Sequence, residues 1–436
     1  MPSTTPAALR STPMRPFLAC LTATSLAAFA VPAVASAASA DIAHSKVVSD
    51  NPVNNTPHVL DGTVRTIAVT GSLVVVGGNF TEVREAGSGK PVLKRNNLFA
   101  YDMGTGKINT TFVPKVDGTV HALQAGTGGW VYMAGTFKNV NGRKTGTVAS
   151  IRATTNQVHT GFKPNVNYRV TTMVRRGLRL YIGGSFTQAG GKARSALARL
   201  DALTGAADNG FNFTITKPRS GTLKVYRLAV DPADSRMVIN GTFTQVNEQS
   251  RPQIAMINTG SGAAKLSTWA TQRYGTPCNL SAFDTYMRGM DFSPDGKYFV
   301  VVTTGGPYGT SQLCDTAARW EAGATGAGQD PTWVNWTGGD TLLSTTVTGA
   351  AVYVGGHQRW LDNPRGRDHA GPGAVSRPGI AAINPSTGKA LAWNPTRTLG
   401  HGVEALVAHP KGLLVGSDTD QLGREYHGRI GMFPMG

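Results

Sequence analysis

Residues 73–83 read LVVVGGNFTEV, and the same unit returns as WVYMAGTFKNV from Trp130, LYIGGSFTQAG from Leu180 and MVINGTFTQVN from Met237. Weaker copies follow as YFVVVTTGG from Tyr298, VYVGGHQRW from Val352 and LLVGSDTDQ from Leu413, which makes seven. Anchored on Gly78, Gly135, Gly184, Gly241, Thr304, Gly356 and Ser417, the copies stand 49 to 63 residues apart. A steady core at uneven spacing describes a regular scaffold carrying loops of variable length.

Each unit is short, alternating and bounded by turn residues, the pattern of half-buried strands. In the second unit TVHALQA reads as strand A, WVYMAGTF as B, TVASIRA as C and HTGFKPNV as D. The glycines closing strand B allow positive φ or close backbone approach. Phe80, Phe137, Phe186 and Phe243, which follow them, are expected to pack between units. Helical periodicity is nearly absent. Four strands in each of seven repeats predict an all-β, seven-bladed β-propeller, in which a ring of blades limits exposed sheet edges. The last unit stops at HGRIGMFPMG without a strand D, and NTPHVLDGTVRTIAV near the start matches TTFVPKVDGTVHALQA. Residues Pro57 to Leu60 are therefore expected to complete the last blade and close the ring.

These residues resemble a known family. VYRLAVDPADSRMVINGTFTQVNEQSRPQIAMINTGSG and LYIGGSFTQAGGKARSALARLDALTG are similar to the delta-60-type repeat of secreted bacterial propellers, related in general form to kelch-like propellers. The C-terminal VGGHQRWLDNP, GPGAVSRPGIAAINPSTGKALAWNP and VGSDTD look like a module of such propellers that stands beside carbohydrate-binding or adhesion-type domains. The resemblance spans the mature chain and implies the fold. It implies no chemistry, because propellers host unrelated functions.

Arg10 and Arg15 precede an apolar run from Phe17 to Val34 and small residues up to Ala40. Residues 1–40 therefore read as a secretory signal peptide and residues 41–436 as one secreted domain, extracellular or loosely wall-associated. No later run is long enough for a membrane span. Cys278 and Cys314 are the cysteines left after the leader, and an oxidising compartment favours their pairing. The formal charge of the 436-residue chain is +17, and removing the two leader arginines leaves 17 − 2 = +15. A basic exported protein suits an extracellular glycan, an anionic wall polymer or a surface protein as partner. No run of Lys/Arg marks a specific nucleic-acid ligand, and a monomer is expected.

Strand order places D-to-A and B-to-C connections on one face of the ring and A-to-B and C-to-D turns on the other. The turns on the second face are short, as in DPADSR, SPDGK and NPSTGK. The long segments lie on the first, the longest B-to-C insertion being HQRWLDNPRGRDHAGPGAVSRPG in blade 6. Blades 6 and 7 are neighbours, so His357, Arg359, Trp360, Asp362, Arg365, Arg367, Asp368 and His369 are expected to face Asp418, Asp420, Glu425, Tyr426 and His427. An aromatic ring beside Arg, Asp and His suits sugar or peptide recognition, while a loop anchor and structural hydrogen bonds are the alternative for Trp360 and the histidines. An arginine also recurs three residues before strand C, as Arg95, Arg194, Arg251 and Arg377. It is either a ring of guanidinium groups for an anion or a pin bonded to carbonyls.

No G-x-S-x-G, H-E-x-x-H, phosphate-loop or dinucleotide fingerprint is present, and no cofactor is expected. Asp418 and Asp420 offer calcium ligands, although the residues after them depart from an EF-hand loop. The reading is a binding or adhesion module acting through its B–C and D–A loop face. The alternatives are an extracellular polysaccharide hydrolase or lyase using carboxylates of that face, and a partner-binding scaffold.

Overall fold

Alternating apolar residues and turn glycines produce strands throughout. The structure, a computed structural model, describes residues 42–276, 278–279 and 281–436, and the leader at 1–40 lies outside the described residues. Among the described residues the regular elements are all strands, and no helix is long and apolar enough to cross a membrane.

Among the thirteen sheets of the described residues, seven antiparallel ones carry the repeat and follow one another along the chain. Their first strands are Val64–Thr70, Val120–Ala125, Val170–Arg176, Val225–Val230, Met287–Phe292, Leu342–Val347 and Ala405–His409. Each is followed by the B strand carrying the repeat, such as Leu73–Gly78 or Val352–Gly356, and then by strand C. The first strand of each sheet lies against that of the next, and that of the seventh against that of the first. No individual sheet closes on itself.

The repeat's conserved spacing has a packing cause. Phe80, Phe137, Phe186 and Phe243 are each at most 1% exposed and sit in apolar clusters shared by adjoining sheets. Burying each contributes about 1.5–3 kcal/mol. The glycine pair serves approach rather than positive φ. A Cβ on Gly355 would stand 2.5 Å from Val403 Cβ of the next sheet, and one on Gly356 would stand 2.1 Å from the Thr341 carbonyl oxygen.

Two expectations need correction. Four strands per sheet hold only in the fourth and fifth, through Lys265–Leu266 and Trp333–Trp336; the other five sheets have three. In the first, second, third and sixth, segment D touches strand C at a single bridge, for example Tyr101↔Ile108 and Ile151↔Val158. Pro114 and Pro164 have no N–H to donate to a ladder, and Phe112 and Phe162 are buried instead, so side chains hold the segment. At the chain ends, His58–Val59 forms its ladder with Glu82–Arg84 of the first repeat and meets the last repeat outside its strands, where Val59 N donates to Gly428 O at 2.8 Å and Arg429 Nη1 to Val59 O. Asp61 draws it to the first repeat by accepting the Thr81 and Glu82 amides. The neighbour of Ile430–Pro434 is upstream: Ser49 N donates to Pro434 O and Val53 N to Met432 O, both at 2.9 Å.

The B-to-C connections are hairpins in six of the seven repeats. Trp360–Leu361 pairs with Val375–Ser376, and Gln421–Leu422 with Glu425–Tyr426, as shorter versions do elsewhere. The fifth repeat has no such hairpin among the described residues. There a Cys278–Cys314 disulfide joins the D–A and B–C segments, with Cα atoms 5.9 Å apart. Gly305 makes room for it, since a Cβ there would lie 2.4 Å from Cys278 Cβ.

Candidate functional site

The recurring arginines are carbonyl pins. Arg194 donates to Ala193 O and Asp208 O, Arg251 to Ser250 O and Ser267 O, and Arg377 to Ser376 O and Leu391 O. Each guanidinium spans the start of strand C and the D segment of its own repeat, a fork that a Lys ammonium does not reproduce. Arg95 donates to Lys94 O, with no bond to a D segment among the described residues. In the third and sixth repeats the pins hold D segments that lack a ladder, and in the fourth Arg251 reinforces one that has it.

A different set of charges does converge. In six of the seven first strands the register with strand B slips by one residue, at Arg65, His121, Thr171, Tyr226, within Arg288–Gly289 and at Leu343. Such bulges re-aim side chains. Glu404 stands at the corresponding place in the seventh, next to Ala405, which opposes Gly416.

Glu404, with a side chain 8% exposed, receives Arg65 Nη1 at 3.0 Å, His401 Nε2 at 3.3 Å and Arg227 Nη2 at 3.9 Å. Arg65 and Glu404 belong to the first and seventh sheets and Arg227 to the fourth, so this cluster crosses the centre of the sheet array. The His401 bond and the arginine charges outweigh burial and hold the Glu404 carboxyl down at about 2. Burial, with the charges of Arg65, Arg169 and Arg227, pushes His121 down to about 4, which keeps it neutral at pH 7. Its Nε2 is buried without a hydrogen-bond partner. Tyr226 lies under Arg227 at 4.8 Å and Arg288 at 5.3 Å, cation–π contacts that hold two guanidinium groups side by side.

Residues 179–211 match a family described as a domain of unknown function (DUF5122) beta-propeller. The match runs from strand B to segment D of the third repeat and supports a β-propeller reading of that repeat. Among solved structures the chain is similar to the computationally designed Ika8 protein, at 13% identity and a TM-score of 0.46, over 89% of this chain and 100% of that one. It is also similar to the WD40 beta propeller domain of Doa1, at 9% identity and a TM-score of 0.48, over 89% of this chain and 98% of that one. No curated protein matches the chain.

The bulges sit where D–A connections enter the first strands, at the end of each sheet from which the B–C connections also leave. The residues expected to form a site on the loop face fall into two groups. In the first, Arg359 makes a bidentate ion pair with Asp340, with Nη2 2.7 Å from Oδ1, and its guanidinium lies 4.3 Å from the Trp360 ring. Asp362 accepts Asn335 Nδ2 at 2.6 Å and the Ala390 amide at 3.1 Å. His357 Nε2 faces the Thr341 amide at 3.4 Å, and His369 Nδ1 the Arg367 carbonyl at 2.7 Å. Asp368 is tied by its own amide to Gly338 O, and Arg365 is exposed. Buried Asn363 organises the loop tip by bonding Thr337 O, His369 O and the Gly371 amide.

In the second group Asp418 accepts the His401 and Gly402 amides at 2.6 and 3.0 Å. Asp420 is exposed, and its carbonyl takes the His427 amide. His427, 3% exposed, lies 3.2 Å from Glu425 Oε1, and Tyr426 meets His58 edge-on. Among the described residues no hydrogen bond, ion pair or ring contact joins a side chain of one group to one of the other. Buried Arg397 links their bases, bonding Gly356 O at 3.1 Å and Thr419 Oγ1 at 2.6 Å, and burial lowers its pKa to about 10. Among the described residues no three His, Cys, Asp or Glu side chains could hold a common metal ion.

Beside the first group lies a shallow depression of about 190 Å³, lined by Pro307, Tyr308, Trp336 and Pro364 among others. Tyr308 is 45% exposed. Sequence reading missed this depression, the central cluster and Arg397. The bulge position is visible only once the first strands are aligned as VRTI, VHAL, VTTM, VYRL, MRGM, LLST and VEAL.

Proposed function

We propose that the chain is a secreted, extracellular seven-bladed β-propeller that binds a glycan, an anionic wall polymer or a surface protein through its B–C and D–A loop face. Ring closure is assigned to residues 49–53 running beside the last sheet, with the seventh and first sheets sharing an apolar cluster that includes Leu414, Met432, Val64 and Val76. The leader-like N-terminus and the Cys278–Cys314 disulfide support export.

The observation that carries the binding reading is that the longest loops are latched. Arg359–Asp340, Asp362–Asn335, the Asn363 bonds and the disulfide fix them, so a ligand meets a surface ordered in advance. Preorganisation lowers the entropic cost of binding. Aromatic rings at that surface, Trp360 and Tyr308, suit stacking on sugar rings or on apolar peptide groups.

Binding of the mature chain to arrayed glycans and wall polymers, with Trp360→Ala and Tyr308→Ala alongside, tests the reading. At least one substitution is expected to weaken retention tenfold or more. Unchanged retention in both removes this surface as the site.

A further inference from the structure

We propose that the central cluster on the loop face is an oxyanion-binding site, taking one carboxylate or phosphate group of a ligand. Arg65 and Arg227 pair with one buried carboxylate, Glu404; Arg288 shares the Tyr226 ring with Arg227, and Arg169 acts with Arg65 and Arg227 on buried His121. Arg65 is the closely paired one, at 3.0 Å, whereas Arg227 reaches Glu404 only at 3.9 Å. Arg288 donates to the Thr285 and Met287 carbonyls, and no carboxylate among the described residues pairs with it or with Arg169. Among the described residues Glu404 is the one carboxylate that ion-pairs with any of the four arginines.

The access is from solvent. Arg169 is exposed and the His401 side chain is 64% exposed, while Arg65 and Arg227 are 28% and 24% exposed above the nearly covered Glu404. Clustering like charges costs free energy unless something compensates it. Glu404 compensates part, and the cation–π contacts of Arg227 and Arg288 with Tyr226 fix the groups without neutralising them. An oxyanion entering the mouth completes the compensation and meets guanidinium forks matched to carboxylate or phosphate geometry. Arg65 and Arg288 stand in the bulges of their first strands and Arg169 and Arg227 beside those of theirs, so groups from several sheets meet only in the assembled fold.

The test is isothermal titration of the mature chain with glucuronate, with inorganic phosphate and with neutral galactose at low ionic strength. Arg169→Gln and the double variant Arg169→Gln/Arg227→Gln are compared with Lys107→Gln, an exposed charge on the opposite turns. Saturable binding of glucuronate, phosphate or both is expected, with no galactose response, at least tenfold weaker in the double variant and unchanged in Lys107→Gln. Glucuronate alone assigns a sugar acid, and phosphate alone a phosphate group. Absence of saturable binding by either anion, or equal binding by wild type and double variant, overturns the proposal. Arg169 has no internal partner, so its single variant keeps the test valid if Arg227→Gln perturbs folding. The outcome is separate from the loop reading: polymer retention that depends on Trp360 but ignores both arginines leaves that reading standing and removes this one.

Discussion

Asp315 is 1% exposed, and neither of its carboxylate oxygens has a hydrogen-bond partner. The Gly306 amide lies near enough to favour the charge without making a bond of good geometry. Burial dominates, helped by the charges of Asp340 and Asp368 and opposed by Gly306 and Arg288, and it pushes the carboxyl up to about 7. The folded state therefore prefers the protonated acid, while the unfolded chain ionises near the ordinary value of 3.8. Stability from this group is complete below about pH 4 and is lost as pH rises through about 7. Three units of displacement correspond to about 4 kcal/mol, lost at about 1.4 kcal/mol per pH unit. Asp315→Asn removes the ionisation while keeping a side chain that tolerates the positive φ of 51° at this position. Urea unfolding of variant and wild type from pH 4 to pH 8 reads the effect as a difference. That comparison cancels other groups, including His58, lowered to about 4 mainly by burial, and Asp291, raised by burial to about 6. The variant is expected to gain on wild type steadily up to about pH 7 and to hold the margin above it. A difference that stays flat with pH refutes the assignment of a buried, unsatisfied carboxylate. Gly306 lines the depression beside Trp336, so the same carboxylate sits under the proposed binding surface, where strongly shifted groups are common.

Replacing Cys278 and Cys314 together with Ser opens a 36-residue separation and is expected to lower stability by roughly 3–4 kcal/mol, read by denaturant unfolding. An unchanged midpoint contradicts that role. Glu404→Gln removes a carboxylate whose folded pKa is depressed; its contribution is present above about pH 4.5 and lost as pH falls towards about 2. The variant should lose up to about 3 kcal/mol at pH 7 and nothing at pH 2, checked by unfolding at both. Arg251→Lys keeps the charge but cannot span Ser250 O and Ser267 O, so a loss of about 1–2 kcal/mol is expected, with faster amide exchange at Lys265–Leu266.

The repeat was legible because its cause is local. Alternation in LVVVGG and the fixed offset to Phe80 or Arg251 are properties of ten to fifteen consecutive residues, so they survive in the sequence as a pattern. Segment D misled because its apolar residues suggest a strand, whereas buried Phe112 and Phe162 in the first and second repeats, and the Arg194 and Arg377 pins in the third and sixth, hold it where the ladder is missing. The chain end misled for a related reason. The resemblance of VNNTPHVLDG to FVPKVDG is real, but it aligns residues that join the next repeat's hairpin, as Val116 does by its bridge to Val140. The loop residues were found on the correct strand connections, yet their partners Asp340, Asn335 and Arg397 come from segments with no motif. The central cluster lies furthest from sequence sight. Arg65, His121, Tyr226, Arg288 and Glu404 share a backbone position, the residue after the first apolar one of strand A, which reads Arg, His, Thr, Tyr, Arg, Leu and Glu in turn, while Arg169, Arg227 and His401 stand just beside it. A scaffold position conserves geometry, whereas a ligand demands that different sheets contribute different groups to one point. Variation at a position of fixed register within a repeat is thus a better pointer to a central site than any recurring residue, and Arg251 and Glu404 mark the two sides of that distinction.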